Sequence, residues 1–122
     1  PNEVVVHSCE VDGRVAIMAV SRECADAIDK LGVKVCYTSP LILGGDIAEG
    51  SYLALYDDVL YIRVYRDGLR FAEAIEVHGA ADIIYYLECV NRVYNIYNMY
   101  ACASGDVKRL KELCKRYTKL KF

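Results

Sequence analysis

The chain has 122 residues, a net charge of −2, and 55% apolar against 26% charged residues. This length suits one domain with a single core, and the composition is that of a globular protein rather than a disordered one. No apolar run approaches the ~20 residues that a membrane-spanning helix needs. The near balance of charge gives no general attraction to nucleic acid or to anionic membranes.

The six cysteines stand apart along the chain, and no pair has C-x-x-C spacing. Their positions are 9, 24, 36, 89, 102 and 114. Each falls among apolar neighbours within a predicted strand or helix, so we expect all six to be reduced core residues of a cytoplasmic protein. His7 and His78 are isolated in the sequence, so we expect no metal site.

Residues 1–50 predict the order β-β-α-β-α. The predicted elements are a strand Val4–Val11, a turn at Asp12-Gly13, a strand Arg14–Val20, a helix Arg22–Leu31, a strand Val33–Tyr37 and a helix that begins at Pro40. Ser21 suits the amino-terminal cap of the first helix, whose predicted inner stripe is Cys24, Ala27, Ile28 and Leu31. The pair Gly44-Gly45 weakens the second helix.

Residues 51–122 predict the order β-β-β-α-β-α. The predicted elements are strands Ser51–Tyr56, Val59–Arg66 and Leu69–Val77, a helix Ala80–Tyr94, a strand Met99–Ala103 and a last helix capped by Asp106. Three antiparallel strands followed by alternating helix and strand are not the order of a doubly wound fold. They are the order of one lobe of the ribonuclease-H-like, actin-like ATPase fold, an α/β class with a mixed sheet.

Particular residues add a family resemblance to this order. The run LRFAEAIEVHGAADIIYYLECVNRVYNI from Leu69, followed by MYACASG, resembles the second half of an uncharacterised bacterial protein family with an actin-like ATPase fold. The matching features are Asp82, the segment Ile84-Tyr85-Tyr86-Leu87, and Ser104-Gly105. The segment VAIMAVSRECADAIDKLGVKVCYTSPLIL is similar in layout to the part of FtsA- and PilM-like proteins that joins the lobes.

The resemblance implies that residues 1–50 are a lobe-joining segment and residues 51–122 an actin-like lobe, packed as one unit. Because members of that family are about twice this length, it also implies that the chain is a fragment of a longer one.

Actin-type ATPases hold phosphate in a glycine-rich turn between the first two strands of a lobe. The corresponding turn here is Asp57-Asp58, which has no glycine to let backbone amides approach a phosphate. Its two carboxylates would repel the anion, and Asp57 is at most a weak candidate for holding Mg²⁺ beside a nucleotide. We therefore interpret the turn as a solvated hairpin.

The junction Ser104-Gly105-Asp106 is the second weak candidate for a nucleotide contact. In the actin fold this strand-to-helix junction lies against the adenosine, and Gly105 would allow a close approach of backbone to ligand. Asp106, however, suits the helix cap and already uses the positive end of the helix dipole. No other group of residues indicates catalysis, so we predict no catalytic residue and no cofactor.

Two strands of the lobe alternate between an apolar face and a face rich in tyrosine and arginine. We name the second one the Tyr/Arg face. Its members are Tyr52, Tyr56, Tyr61, Arg63 and Tyr65. Tyrosine and arginine bury well at interfaces while keeping a polar end. The face is therefore either a docking surface or a surface covered by the last helix of the same chain.

These observations favour a non-catalytic scaffold or protein-interaction module on a degenerate actin-like fold. The partner would be another protein or the missing lobe, and the oligomeric state stays open. The alternative is a nucleotide-binding ATPase lobe whose remaining ligands lie in a missing half. A weaker alternative is an RNA-binding module that uses the lysine-rich last helix, although acidic residues elsewhere balance that charge.

Overall fold

The computed structural model describes residues 2–122. The chain divides into two compact units, of which the first ends at Gly45 and the second is Asp46–Phe122. Among the described residues, no helix combines the length and the apolar character that crossing a bilayer requires.

The first unit contains a two-stranded antiparallel sheet and one helix. Strand β1 is Glu3–His7, strand β2 is Ile17–Ser21, and helix α1 is Arg22–Asp29. The register sets Val5 opposite Ala19. The predicted turn is present, with Asp12 at φ 50° and Gly13 at φ 78°. Ser21 caps α1 as expected, because its hydroxyl accepts a hydrogen bond from the Cys24 amide at 3.1 Å.

The second half of this unit differs from the sequence-based prediction. Residues 33–37 form no strand, and residues 40–44 form a turn instead of a helix. The Cys9 amide bonds the Tyr37 carbonyl at 3.2 Å, but no ladder grows from this contact. A strand needs a neighbour along its length to satisfy its backbone groups, and apolar alternation alone does not supply one. The predicted stripe on α1 is also wrong, since Cys24, Ala27 and Leu31 are exposed.

The second unit is a four-stranded mixed sheet with two α-helices. Its elements are β3 Glu49–Tyr56, β4 Val59–Arg66, β5 Leu69–Glu76, α2 Ala80–Tyr94, a short 3₁₀ helix Ile96–Asn98, β6 Ala101–Gly105 and α3 Val107–Tyr117. The strand order is β5-β4-β3-β6. Strands β3, β4 and β5 are antiparallel, and β6 runs parallel to β3. The predicted order β-β-β-α-β-α and the mixed sheet are therefore confirmed.

Both helices pack against one face of this sheet. The sheet side of the core comes from β3 and β4, and the helix side comes from α2 and α3. The core residues include Leu53, Leu55, Leu60, Ile62 and Val64 from the sheet and Ile83, Leu87, Val90, Leu110 and Cys114 from the helices. The helix residues recur at spacings of three and four, as an amphipathic helix requires. The opposite face of the sheet is the Tyr/Arg face.

The cysteines do not behave as one set of buried thiols. A disulfide joins Cys9 and Cys36, whose Cα atoms lie 6.0 Å apart, within the usual range for a disulfide. Cys24 and Cys102 are exposed, Cys89 is half-buried and Cys114 is buried. The expectation of six reduced core cysteines is therefore wrong for four of them, because Cys9 and Cys36 form a disulfide and Cys24 and Cys102 are exposed. Sequence spacing gave no signal, because 27 residues separate the two.

We predict that mass spectrometry of protein prepared without reductant will find one peptide pair linked through Cys9 and Cys36. Iodoacetamide should label Cys24 and Cys102 in the folded protein. It should label Cys114 only after unfolding, because burial raises the pKa of that thiol and shields it from the reagent. Free thiols at both Cys9 and Cys36 under these conditions would contradict the structure.

Candidate functional site

The turn between β3 and β4 is a solvent-facing hairpin. Tyr56 lies opposite Val59, so Asp57 and Asp58 form the whole two-residue connection. Both carboxylates are exposed, and Asp57 adopts φ 51°. The Asp58 carbonyl accepts a hydrogen bond from the Val77 amide at 2.8 Å. This backbone group therefore holds the end of β5 and is already used within the chain.

The junction between β6 and α3 is packed against β3. Gly105 has φ 74°, and a Cβ at this position would overlap the Leu55 carbonyl oxygen. The next residue, Asp106, donates its amide to the same oxygen at 2.8 Å. The Asp106 carboxylate accepts from the Arg109 amide at 3.2 Å, which is the predicted helix cap. The requirement for glycine thus comes from the protein's own backbone.

The fold brings Asp57 and Gly105 to the same end of the sheet, because Gly105 pairs with Leu55 and Asp57 comes two residues after Leu55. This is where the resemblance to actin-type ATPases would place a nucleotide. The groups at this end are two exposed carboxylates and a carboxylate that already caps a helix. Among residues 2–122, no cluster of three or more His, Cys, Asp or Glu is arranged to hold a metal ion.

The Tyr/Arg face has a buried centre formed by Tyr52, Arg63 and Tyr65. Arg63 is 3% exposed and Tyr65 is 1% exposed. The Arg63 guanidinium carbon lies 4.2 Å from the centre of the Tyr52 ring, and its Nη1 donates to the Tyr65 hydroxyl at 3.1 Å. The Tyr52 and Tyr65 rings meet edge to face at 6.2 Å. A cation over an aromatic face gains more when water is excluded. We call these three residues the Arg63 cluster.

Asp46 adds a carboxylate to the surroundings of the Arg63 cluster. Burial raises the pKa of the Tyr65 phenol, and the nearby Arg63 charge opposes this rise, while the Asp46 carboxylate adds to it. A raised pKa means that folding favours the neutral phenol. The contribution of the neutral Tyr65 phenol to folding stability is therefore fully present below the unfolded-state pKa of about 10. It is lost as the pH rises through the higher pKa of the folded state.

The remainder of the Tyr/Arg face is more open. Tyr56 is 42% exposed and Tyr61 is half-buried, with their ring centres 6.4 Å apart. The last helix does not cover this face, since Leu110 and Cys114 of α3 pack with Leu53 and Ile62 on the opposite one. That alternative for the Tyr/Arg face is excluded. The face therefore has a buried cationic centre, and beside it lie the exposed Tyr56 and the half-buried Tyr61.

Sequence reasoning missed two contacts, one beside the Arg63 cluster and one on the helix side of the sheet. It did not connect Asp46 with Tyr65, because they come together only when β3 and β4 pair. It also missed the bond from the Tyr97 hydroxyl to Glu88 at 2.7 Å, which joins the 3₁₀ helix to α2. Burial raises the pKa of Tyr97, and Glu88 adds to the rise. The nine-residue separation of that pair matches no simple helical spacing.

Comparisons with known proteins identify the fold. No protein-family model and no curated protein matches the chain. The structure is similar to a crystal structure from Bacteroides thetaiotaomicron VPI-5482, described as a protein with an actin-like ATPase fold and unknown function. The TM-score is 0.71 and the sequence identity is 18% over 99% of this chain. The chain spans 53% of the length of that protein.

The comparison shows the fold of the chain. The chain has an actin-like ATPase fold, and the expected similarity to an uncharacterised bacterial protein of that fold is confirmed. At this level of identity the comparison carries no residue roles.

We predict that Arg63→Glu will lower the melting temperature by about 10 °C or more, because an uncompensated buried charge costs about 3–5 kcal/mol. The matched control is Arg66→Glu on the same strand. Arg66 lies 3.5 Å from Glu49, and its side chain is 44% exposed. An exposed pair contributes up to about 1 kcal/mol, so the control should lose little stability. Equal losses in the two variants, measured by thermal denaturation, would contradict the buried position of Arg63.

Proposed function

We propose that the chain is a non-catalytic scaffold or protein-interaction module on an actin-like ATPase fold. The observation that carries this proposal is the turn Asp57-Asp58. It presents two exposed carboxylates and no glycine where an actin-type ATPase would present amides to a phosphate. Phosphate binding by backbone needs close approach and a favourable field, and this turn offers neither.

The second candidate contact supports the same proposal. Gly105 is required by the close approach of the Leu55 carbonyl, and Asp106 occupies the positive end of α3. A nucleotide at this junction would meet a carboxylate that already accepts the Arg109 amide in the first turn of the helix. Both positions are accounted for by the protein's own contacts.

We infer that the open part of the Tyr/Arg face, Tyr56 and Tyr61, is the docking surface. Exposed aromatic residues beside a rigid centre are typical of interfaces, because they bury a large area at a small cost in side-chain entropy. The Arg63 cluster would fix the strand beneath them. The partner would be another protein or a further lobe, which is consistent with a chain that spans 53% of its structural neighbour.

The cytoplasmic placement stays a proposal. The expectation of reduced cysteines was its main support, and Cys9 and Cys36 form a disulfide instead. Disulfides persist mainly in oxidising compartments. The compartment is therefore best tested by the thiol state of these two residues in cells.

We predict that isothermal calorimetry with ATP and Mg²⁺ will detect no binding tighter than roughly millimolar, or about −4 kcal/mol. The physical reason is that Asp57-Asp58 has two exposed carboxylates and no glycine, so a phosphate is repelled and cannot approach the backbone amides closely. A low-micromolar dissociation constant that Asp57→Ala abolishes would contradict the scaffold proposal. It would favour the alternative function, a nucleotide-binding ATPase lobe.

A further inference from the structure

The charge of the chain is strongly segregated. Residues 106–122 contain seven Lys and Arg against two Asp and Glu, a net charge of +5 in a chain of net charge −2. The preceding 105 residues therefore carry −7. A balanced total conceals this distribution, and α3 together with the residues that follow it is a distinct basic region. Electrostatic attraction of a polyanion depends on such local charge rather than on the total.

Part of this basic region lines a groove between α2 and α3, which we call the α2–α3 groove. It consists of two adjoining cavities of about 800 Å³ and about 490 Å³. Arg116 and Tyr117 line both cavities. Arg109 and Lys115 line the larger cavity, and Lys119 lines the smaller one. Four cations thus follow one concave surface, with Tyr117 where the two cavities meet.

Tyr117 is 54% exposed although it ends a helix that is buried on one side. The Arg116 guanidinium carbon lies 5.9 Å from the centre of its ring. An exposed aromatic ring flanked by cations is the pairing that binds single-stranded nucleic acid, since the ring stacks on a base while the cations contact phosphates. We propose that the α2–α3 groove binds single-stranded nucleic acid, with Tyr117 as the stacking surface.

Two carboxylates line the groove, Glu88 and Glu112, so its four cations remain in excess. Glu88 accepts a hydrogen bond from the Tyr97 hydroxyl at 2.7 Å, so it is held against the 3₁₀ helix. Glu112 is exposed on α3. In the part of the chain that the structure describes, Arg109, Lys115, Arg116 and Lys119 form no ion pair with a carboxylate. Their charge remains available to an anionic ligand.

The shape of the site favours a strand of nucleic acid over an anionic membrane. An anionic membrane surface attracts any exposed basic stripe. This attraction decays within a Debye length and is screened by salt. A tyrosine ring that lines a concave groove is poorly placed to enter the flat headgroup layer of a membrane. A polymer that alternates phosphates and flat bases matches both elements of the groove. This inference is independent of the scaffold proposal, because it uses neither the Asp57-Asp58 turn nor the Tyr/Arg face.

The test is fluorescence anisotropy of the whole chain with a labelled twelve-nucleotide oligouridine, measured between 50 and 200 mM salt. We expect binding at 50 mM salt that weakens with a slope of about −3 in a plot of log K against log salt. Four phosphate contacts at about −0.7 each give this slope. No detectable binding at 50 mM salt would overturn the proposal.

Variants separate the groove from general electrostatics. The double change Arg109→Glu and Arg116→Glu should weaken binding at least tenfold. The control Lys108→Glu changes an exposed residue of the same helix outside both cavities. It should weaken binding less than threefold, and equal losses from Lys108→Glu and from Arg116→Glu alone would overturn the assignment.

Variants of Tyr117 test base stacking separately from charge, because they change the aromatic ring and leave the net charge unaltered. Tyr117→Ala should weaken binding at least fivefold, since stacking on one base contributes about 1–3 kcal/mol, whereas Tyr117→Phe should bind as the parent does. Melting temperatures within a few degrees of the parent would show that the variants fold. Binding that is unchanged in Tyr117→Ala, together with equal affinity for phosphatidylserine vesicles, would assign the region to a membrane surface instead.

Discussion

The close approach of β6 to β3 is the constraint on which the second unit depends. The Leu55 carbonyl accepts the Asp106 amide, and Gly105 lies so near that carbonyl that no side chain fits. This contact lies where β6 ends and α3 begins, at the last of the five residue pairs that join β3 and β6. Because β3 also pairs with β4 along its whole length, the contact joins the antiparallel and the parallel halves of the sheet. The return of α3 onto the core follows from it.

Because both helices pack on one side of the sheet, the Tyr/Arg face lies on the side that they do not cover. Leu53, Leu55 and Ile62 face the helices, so the alternate residues of β3 and β4 must face away. Arg63 is one of these, and its charge is kept in a buried position by the Tyr52 ring and the Tyr65 hydroxyl. A buried arginine needs such partners, because desolvation otherwise outweighs its interactions. The face is consequently buried at its centre, half-buried at Tyr61 and exposed at Tyr56.

The sequence predicted the second unit well because its signals are local. The alternation in β4 and the 3.6-residue period in α2 gave the bounds Val59–Arg66 and Ala80–Tyr94 that the structure has. The caps at Ser21 and Asp106 were also readable, since each oxygen serves an amide within three residues. The predicted strand at residues 33–37 was wrong because a strand needs a neighbouring strand, and no local sequence pattern shows whether one is present. The Cys9–Cys36 disulfide and the approach of Asp46 to Tyr65 were not predicted, for the same reason. Each joins segments that only the fold brings together.

The most direct test is the free energy of unfolding of Gly105→Ala, compared with Gly68→Ala in the same unit. Gly68 also has a positive φ, 103°, but an added Cβ there meets no atom within 4 Å. Both variants should lose about 1–2 kcal/mol from backbone strain. Gly105→Ala should lose at least about 2 kcal/mol more, because the Leu55 carbonyl must move. Equal losses, or a stable Gly105→Ala variant that has lost affinity for a nucleotide, would contradict the account. Gly105 would then serve a ligand rather than the contact between β6 and β3.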